Sequence, residues 1–122
     1  MIDTHAHIYS SKFDDDRDEV IERAFSEGLE YNLMPNIDLE SIGPMLEVSA
    51  KYEKCLPMMG LHPCGVDGSF ELLLQQVKKE LFESKNEYIA VGEIGIDLYW
   101  DKTFLEQQIK AFRMQVKWAK EL

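Results

Sequence analysis

Short apolar runs alternate with longer amphipathic stretches along this chain, and the alternation recurs four times. The first run, residues 1–4, predicts a strand. Residues 15–27 place Val20, Ile21, Ala24 and Phe25 on one helical stripe, with Gly28 as the stop. A second strand is expected over 29–34 and a second helix over 41–52, built on Ile42, Leu46 and Ala50. Pro44 fits that helix only in its first turn, where N–H groups lack intrahelical partners. The third strand is expected over 55–61. The third helix, over 70–83, carries Phe70, Leu73, Leu74, Val77 and Leu81, with Ser69 as N-cap. Residues 88–91 form an uninterrupted apolar run, which suits a parallel strand buried on both faces. Thr103 and Glu106 have capping-box spacing at the start of a fourth helix, whose core stripe reads Leu105, Ile109, Phe112, Val116 and Ala119.

Repeated strand-then-helix units predict a parallel α/β fold, either an open doubly wound sheet or part of a (β/α)₈ barrel. Neither GxGxxG nor GxxxxGK[ST] follows any strand, which weighs against the nucleotide-binding open sheets. A complete barrel needs about 250 residues. The 122 residues here hold the first four βα units, so residues 1–122 are expected to be the N-terminal half of one TIM-barrel domain. The helical pattern reaches Leu122 with no Gly or cap beyond it, which predicts a cut chain.

Composition narrows the class. Hydrophobic residues make up 45% and charged residues 30%, a globular balance. No apolar run approaches the roughly 20 residues of a membrane span. A strand at the first residue leaves no place for a secretory leader, so a cytoplasmic location is expected. Cys55 and Cys64 form no CxxC pair and suit reduced thiols. The net charge of −10, from 13 basic and 23 acidic residues, argues against nucleic-acid binding through a basic surface. It does not exclude a phosphate-ester substrate, because bound divalent cations can supply positive charge locally.

The candidate chemistry sits where strands end. His5 and His7 follow the first strand, and strand residues two apart point the same way, so both imidazoles can share one metal ion. Barrel enzymes build their sites at that end. The plainer alternative is two surface histidines. Glu93, in Gly92-Glu93-Ile94-Gly95-Ile96-Asp97, follows the fourth strand, where a carboxylate needs a cation, a metal or water. His62, in Gly60-Leu61-His62-Pro63, ends the third strand and is a candidate for substrate phosphate contact or for support of the ligands. Asp97 is expected to orient the loop after Glu93. Cys64 is set aside as a ligand, since Pro63 breaks the alternation.

The order His-x-His, then Gly-x-His-Pro, then Gly-Glu-Ile-Gly-Ile-Asp resembles the TatD family of metal-dependent deoxyribonucleases, and the likeness covers the whole chain. Phe104, Gln107, Gln108, Phe112 and Gln115 match a helix of that family. The resemblance implies a barrel of the metallo-dependent hydrolase type with two divalent ions (Mg, Mn or Zn) activating water against a phosphodiester. By that analogy His5 and His7 bind one metal, Glu93 bridges both, and His62 lies near the substrate phosphate. Two further histidines and a late aspartate of the family pattern have no counterpart in these residues.

The leading expectation is therefore a DNA-cleaving hydrolase, with Glu93 and His62 catalytic and DNA as the partner. A second is a hydrolase of the same superfamily acting on a C–N or ester bond of a small molecule. Many of those carry a carbamylated lysine where Glu93 stands, which favours the nuclease. A third is an inactive half barrel. An isolated half would expose two sheet edges and is expected to self-associate.

Overall fold

A computed structural model describes residues 1–84 and 87–122. Four parallel strands form one sheet: β1 (Ile2–Asp3), β2 (Tyr31–Pro35), β3 (Cys55–Met59) and β4 (Ala90–Val91). They stand in the order β1-β2-β3-β4. Each strand is followed by a helix: α1 (Arg17–Ser26), α2 (Ile42–Lys51), α3 (Phe70–Glu83) and α4 (Leu105–Glu121). Every crossover moves one strand onward in the same direction. A doubly wound sheet would reverse its order partway; this winding is half of a (β/α)₈ barrel.

The core lies between sheet and helices. Met34, Met45, Cys55, Met59 and Val77 are fully buried there, with Leu74 and Leu81 beside them. Along β3, Cys55, Pro57 and Met59 are buried while Leu56 and Met58 are half-buried, the alternation that the pleat dictates. Methionine suits such a seam because its flexible thioether fills irregular gaps.

Local chemistry explains most boundaries. Gly28 adopts φ +94° and ends α1, a left-handed position that glycine takes without a Cβ penalty. Pro44 falls in the first turn of α2. Before α1, residues Ser11–Phe13 form a 3₁₀ turn, and Arg17 ties the preceding loop by donating to the carbonyls of Ile8, Tyr9 and Ser10.

Three expectations are corrected. The run 88–91 is not a strand buried on both faces. Only Ala90–Val91 pair, with β3 alone, so Ala90 and Ile89 stay exposed beside an apolar groove that Leu81, Tyr88, Ala119 and Leu122 help to line. The buried stripe of α4 is Gln108, Ala111, Gln115 and Trp118, whereas Leu105, Ile109, Phe112 and Val116 are half-buried and Ala119 is exposed. The helix is rotated so that Gln108 and Gln115, with Ala111 and Trp118, form its buried face. Neither expected cap forms: the Thr103 hydroxyl donates to Asp101, and the Ser69 hydroxyl donates to Asp67. Among the described residues no helix is long and apolar enough to cross a membrane.

Candidate metal centre

Parallel strands bring their C-terminal ends to one rim, and the residues singled out at three of those ends meet there. His5 and His7 follow β1, where Ala6 N–H donates to Leu33 O at 3.1 Å and extends the β1–β2 ladder. His62 follows β3. Glu93 follows β4, with its N–H donating to Asn36 O at 3.1 Å at the end of β2. The Gly92–Glu93 peptide is cis. Gly60 permits this crossing: a Cβ there would meet Gly92 C at 2.8 Å and Glu93 O at 2.9 Å.

The side chains converge closely. Glu93 Oε2 lies 3.1 Å from His5 Nε2 and 3.4 Å from His7 Nε2, and the two nitrogens are 3.2 Å apart. Glu93 Oε1 lies 3.1 Å from His62 Nε2. The partners of the far ring nitrogens assign the tautomers. His7 Nδ1 faces Pro35 O at 3.1 Å, a pure acceptor, so Nδ1 carries the proton and Nε2 presents its lone pair to Glu93. The Tyr9 hydroxyl, buried against the same carbonyl, stands 2.8 Å from His7 Nδ1. His62 is the reverse: its Nδ1 accepts from Cys64 N–H at 3.0 Å, so Nε2–H is the donor to Glu93. Burial holds His7 below the ordinary imidazole range despite the pull of Glu93 beside it, which favours the neutral ring that a metal requires.

One atom is left over. Glu93 Oε2 is buried and accepts no hydrogen bond among the described residues. An orphaned carboxylate oxygen facing an imidazole lone pair is an unfavourable arrangement unless a cation stands between them. The spacing fits one. Ligand atoms about 2.0–2.1 Å from a shared ion stand roughly 2.9 Å apart at right angles and roughly 3.4 Å apart in a tetrahedron. The three observed separations, 3.1, 3.2 and 3.4 Å, fall within those limits. His5, His7 and Glu93 are thus a donor set that could hold a divalent ion.

The structure brings all four expected site residues together. Asp97 lies outside the cluster and organises its loop, accepting from Tyr99 N–H at 2.8 Å. Cys64 Sγ lies 3.5 Å from Asp97 and also outside the cluster. Four supporting residues carried no assigned role in the sequence. Tyr9 braces His7. Buried Asn36 donates from its amide to Gly60 O and Asp38 O and accepts from Ser41, which fixes the strand ends under Glu93. Gln115 holds both backbone groups of Leu61, at 2.7 and 3.3 Å, and Gln108 holds both of Asp97, at 2.8 and 2.9 Å. The glutamine spacing was visible; that it marks a buried face was not.

A half barrel with a histidine–carboxylate cluster at the carboxyl ends of its strands defines a metallo-dependent hydrolase type, and comparison gives the family. The model of TatD-related DNases matches residues 2–122, and the chain belongs to that family. It is 33% identical over its full length to the uncharacterised metal-dependent hydrolase YabD of Bacillus subtilis, covering 47% of that protein. It is 29% identical over its full length to the 3'-5' ssDNA/RNA exonuclease TatD of Salmonella typhimurium, covering 46%. The crystal structure of the TatD homologue YjjV from Escherichia coli superposes with a TM-score of 0.83 at 30% identity, over 99% of this chain and 47% of that one. The chain spans about half the length of the curated relatives it matches.

Proposed function

We propose that these residues supply one side of the active centre of a nuclease that hydrolyses phosphodiester bonds of DNA. The observation that carries the proposal is the triangle of His5 Nε2, His7 Nε2 and the orphaned Glu93 Oε2. His5, His7 and Glu93 would hold the divalent ion or ions that this chemistry needs. Nitrogen donors favour Zn²⁺ or Mn²⁺ over Mg²⁺, which prefers oxygen. Bound there, the ions would lower the pKa of water and neutralise charge on the phosphoryl oxygens.

The chain's own residues do the rest. Tyr9 and Pro35 fix the His7 ring with its lone pair inward. His62, with its proton on Nε2, donates to Glu93 Oε1 and is the group that would donate to a substrate phosphate oxygen. The similarity to TatD exonucleases supports a nucleic-acid substrate, and glutamate rather than lysine at position 93 supports the phosphodiesterase reading over the small-molecule one.

The test is cleavage of end-labelled DNA by the complete protein with Zn²⁺, Mn²⁺ or Mg²⁺ and with chelator. Cleavage is expected only with metal. His5→Ala should lower it by more than about a hundredfold, beyond the 10–100-fold typical of residues behind the ligands. Cleavage retained by that variant would remove the proposal. Metal-dependent hydrolysis of small esters with none of DNA would replace it with the small-molecule reading.

A further inference from the structure

None of the four clustered side chains comes from β2, yet each segment that carries one is bonded to the end of that strand. Three consecutive carbonyls make the connection. Pro35 O accepts from His7 Nδ1–H at 3.1 Å, Asn36 O accepts from Glu93 N–H at 3.1 Å, and Ile37 O accepts from His62 N–H at 3.2 Å. A little earlier, Leu33 O accepts from Ala6 N–H, between His5 and His7. Successive strand residues rise by about 3.3 Å, so this short stretch of backbone sets the spacing of groups that must meet at one point.

Such a stretch can set a spacing only if it is stiff. Pro35 has a fixed φ, is fully buried and pairs with Met58 in the β2–β3 ladder. Asn36 is also fully buried, and each of its polar groups is bonded. Its N–H is shared between Met58 O and Gly92 O. Its amide donates to Gly60 O at 3.0 Å and to Asp38 O at 2.9 Å, and its Oδ1 accepts from the Ser41 hydroxyl at 2.9 Å. Ser41 Oγ in turn accepts from Ile37 N–H at 3.2 Å and from Asp38 N–H at 3.1 Å. Because β2 stands between β1 and β3, these bonds owe nothing to the edges of the sheet.

We propose that Asn36 is a positioning residue of the metal centre. Its side chain, held by Ser41, locks the backbone of residues 35–37, and the carbonyls of that stretch set where His7, Glu93 and His62 stand. This rests on the metal reading of the cluster and adds to it a residue that touches neither ion nor substrate.

The experiment is calorimetric titration of the complete protein with Zn²⁺, together with the visible spectrum of the Co²⁺-loaded protein, which reports coordination geometry. Asn36→Ala removes all three side-chain bonds. It should lower Zn²⁺ affinity by about 10–100-fold, the range for residues behind metal ligands, and alter the Co²⁺ spectrum. Val77→Ala opens a cavity in the buried face of α3 and is the control for lost stability; it should keep both readouts at wild type. Ser41→Ala should weaken Zn²⁺ severalfold, and Ser41→Thr, which keeps the hydroxyl, should bind as wild type does. Ser41 is only half-buried, so this pair decides the matter if Asn36→Ala fails to fold. Unchanged affinity and spectrum in Asn36→Ala, or in Ser41→Ala where that variant stands in, would overturn the role. An equal loss in Val77→Ala would overturn it too. Wild type that binds no Zn²⁺ sinks the metal centre and the role together, whereas wild-type binding with indifferent variants sinks the role alone.

Discussion

Replacing Gly60 by alanine tests whether the backbone crossing under Glu93 is what sets the site. The added Cβ would meet Gly92 C at 2.8 Å, Glu93 O at 2.9 Å and Ile94 Cγ2 at 3.0 Å. Two of these atoms are backbone, held by Gly92 N–H to Met59 O at 3.0 Å and Glu93 N–H to Asn36 O at 3.1 Å, so they cannot swing away. Carbon atoms rest about 3.5–4.0 Å apart, so the segment must move by several tenths of an ångström. Overpacking of this kind costs about 1–3 kcal/mol. Alanine recovers about 0.4–1 kcal/mol by restricting the unfolded chain. The net loss is about 1–2 kcal/mol, or roughly 4–8 °C in Tm for a domain of this size. Gly92→Ala is the matched comparison. Its Cβ would meet only Met58, with Cε at 2.5 Å, and the end of a thioether moves at little cost. Urea unfolding read by fluorescence should rank Gly60→Ala well below Gly92→Ala, and calorimetric titration with Zn²⁺ should show metal affinity falling in the same order. Equal midpoints for the two variants would refute the reasoning.

Gln115→Leu should lower stability by about 2–6 kcal/mol, because it leaves both backbone groups of buried Leu61 unpaired at about 1–3 kcal/mol each; an unchanged urea midpoint would count against the clamp. Glu93→Gln places an amide donor against the lone pair of His7, so the metal-free protein should hold or gain stability while Zn²⁺ binding by calorimetry is lost; metal binding retained by this variant would show that Glu93 is not a ligand. Burial pushes the Cys55 thiol up to about 11, so it binds its proton more tightly folded than unfolded. Its contribution is whole below about pH 9 and is lost as pH rises towards 11, by up to roughly 2–3 kcal/mol. Cys55→Ala should flatten that alkaline slope, and parallel slopes for the two proteins would contradict it.

Much of this was legible in the sequence, for identifiable reasons. Strand and helix periods are written in apolar spacing, which is why all four βα units appear in order and Gly28 and Pro44 fall where expected. His5, His7, His62 and Glu93 could be grouped because each follows a strand, and a parallel sheet gathers such ends on one rim. The rotation of α4 was not legible. Its aliphatic stripe satisfies helical periodicity, but Gln108 and Gln115 are the groups that can satisfy the buried backbone of Asp97 and Leu61, and hydrogen bonding decided which face turned inward. Likewise Asn36 reads as a loop residue until its bonds to Gly60 and Ser41 are seen.

The bonds around the centre suggest why its side chains stand ready without a partner. His7 is oriented by Pro35 O, His62 by Cys64 N–H, and the backbone of His5 by Asp3, at 3.0 Å. None of these bonds uses Glu93. Glu93 is in turn held through its own N–H on Asn36 and, at Oε1, by His62 Nε2–H. The rings of His7 and His62 are therefore aimed by the scaffold, and Glu93 Oε2 is left without a hydrogen-bond partner among the described residues. A site built this way gives up some stability in the metal-free state and spends little conformational entropy when an ion arrives. That trade is reasonable only where binding is the purpose of the cluster. It is also why α4, which touches neither His5 nor His7 by hydrogen bond, still belongs to the site. By clamping Leu61 and Asp97 it fixes the loop carrying His62 and the loop after Glu93.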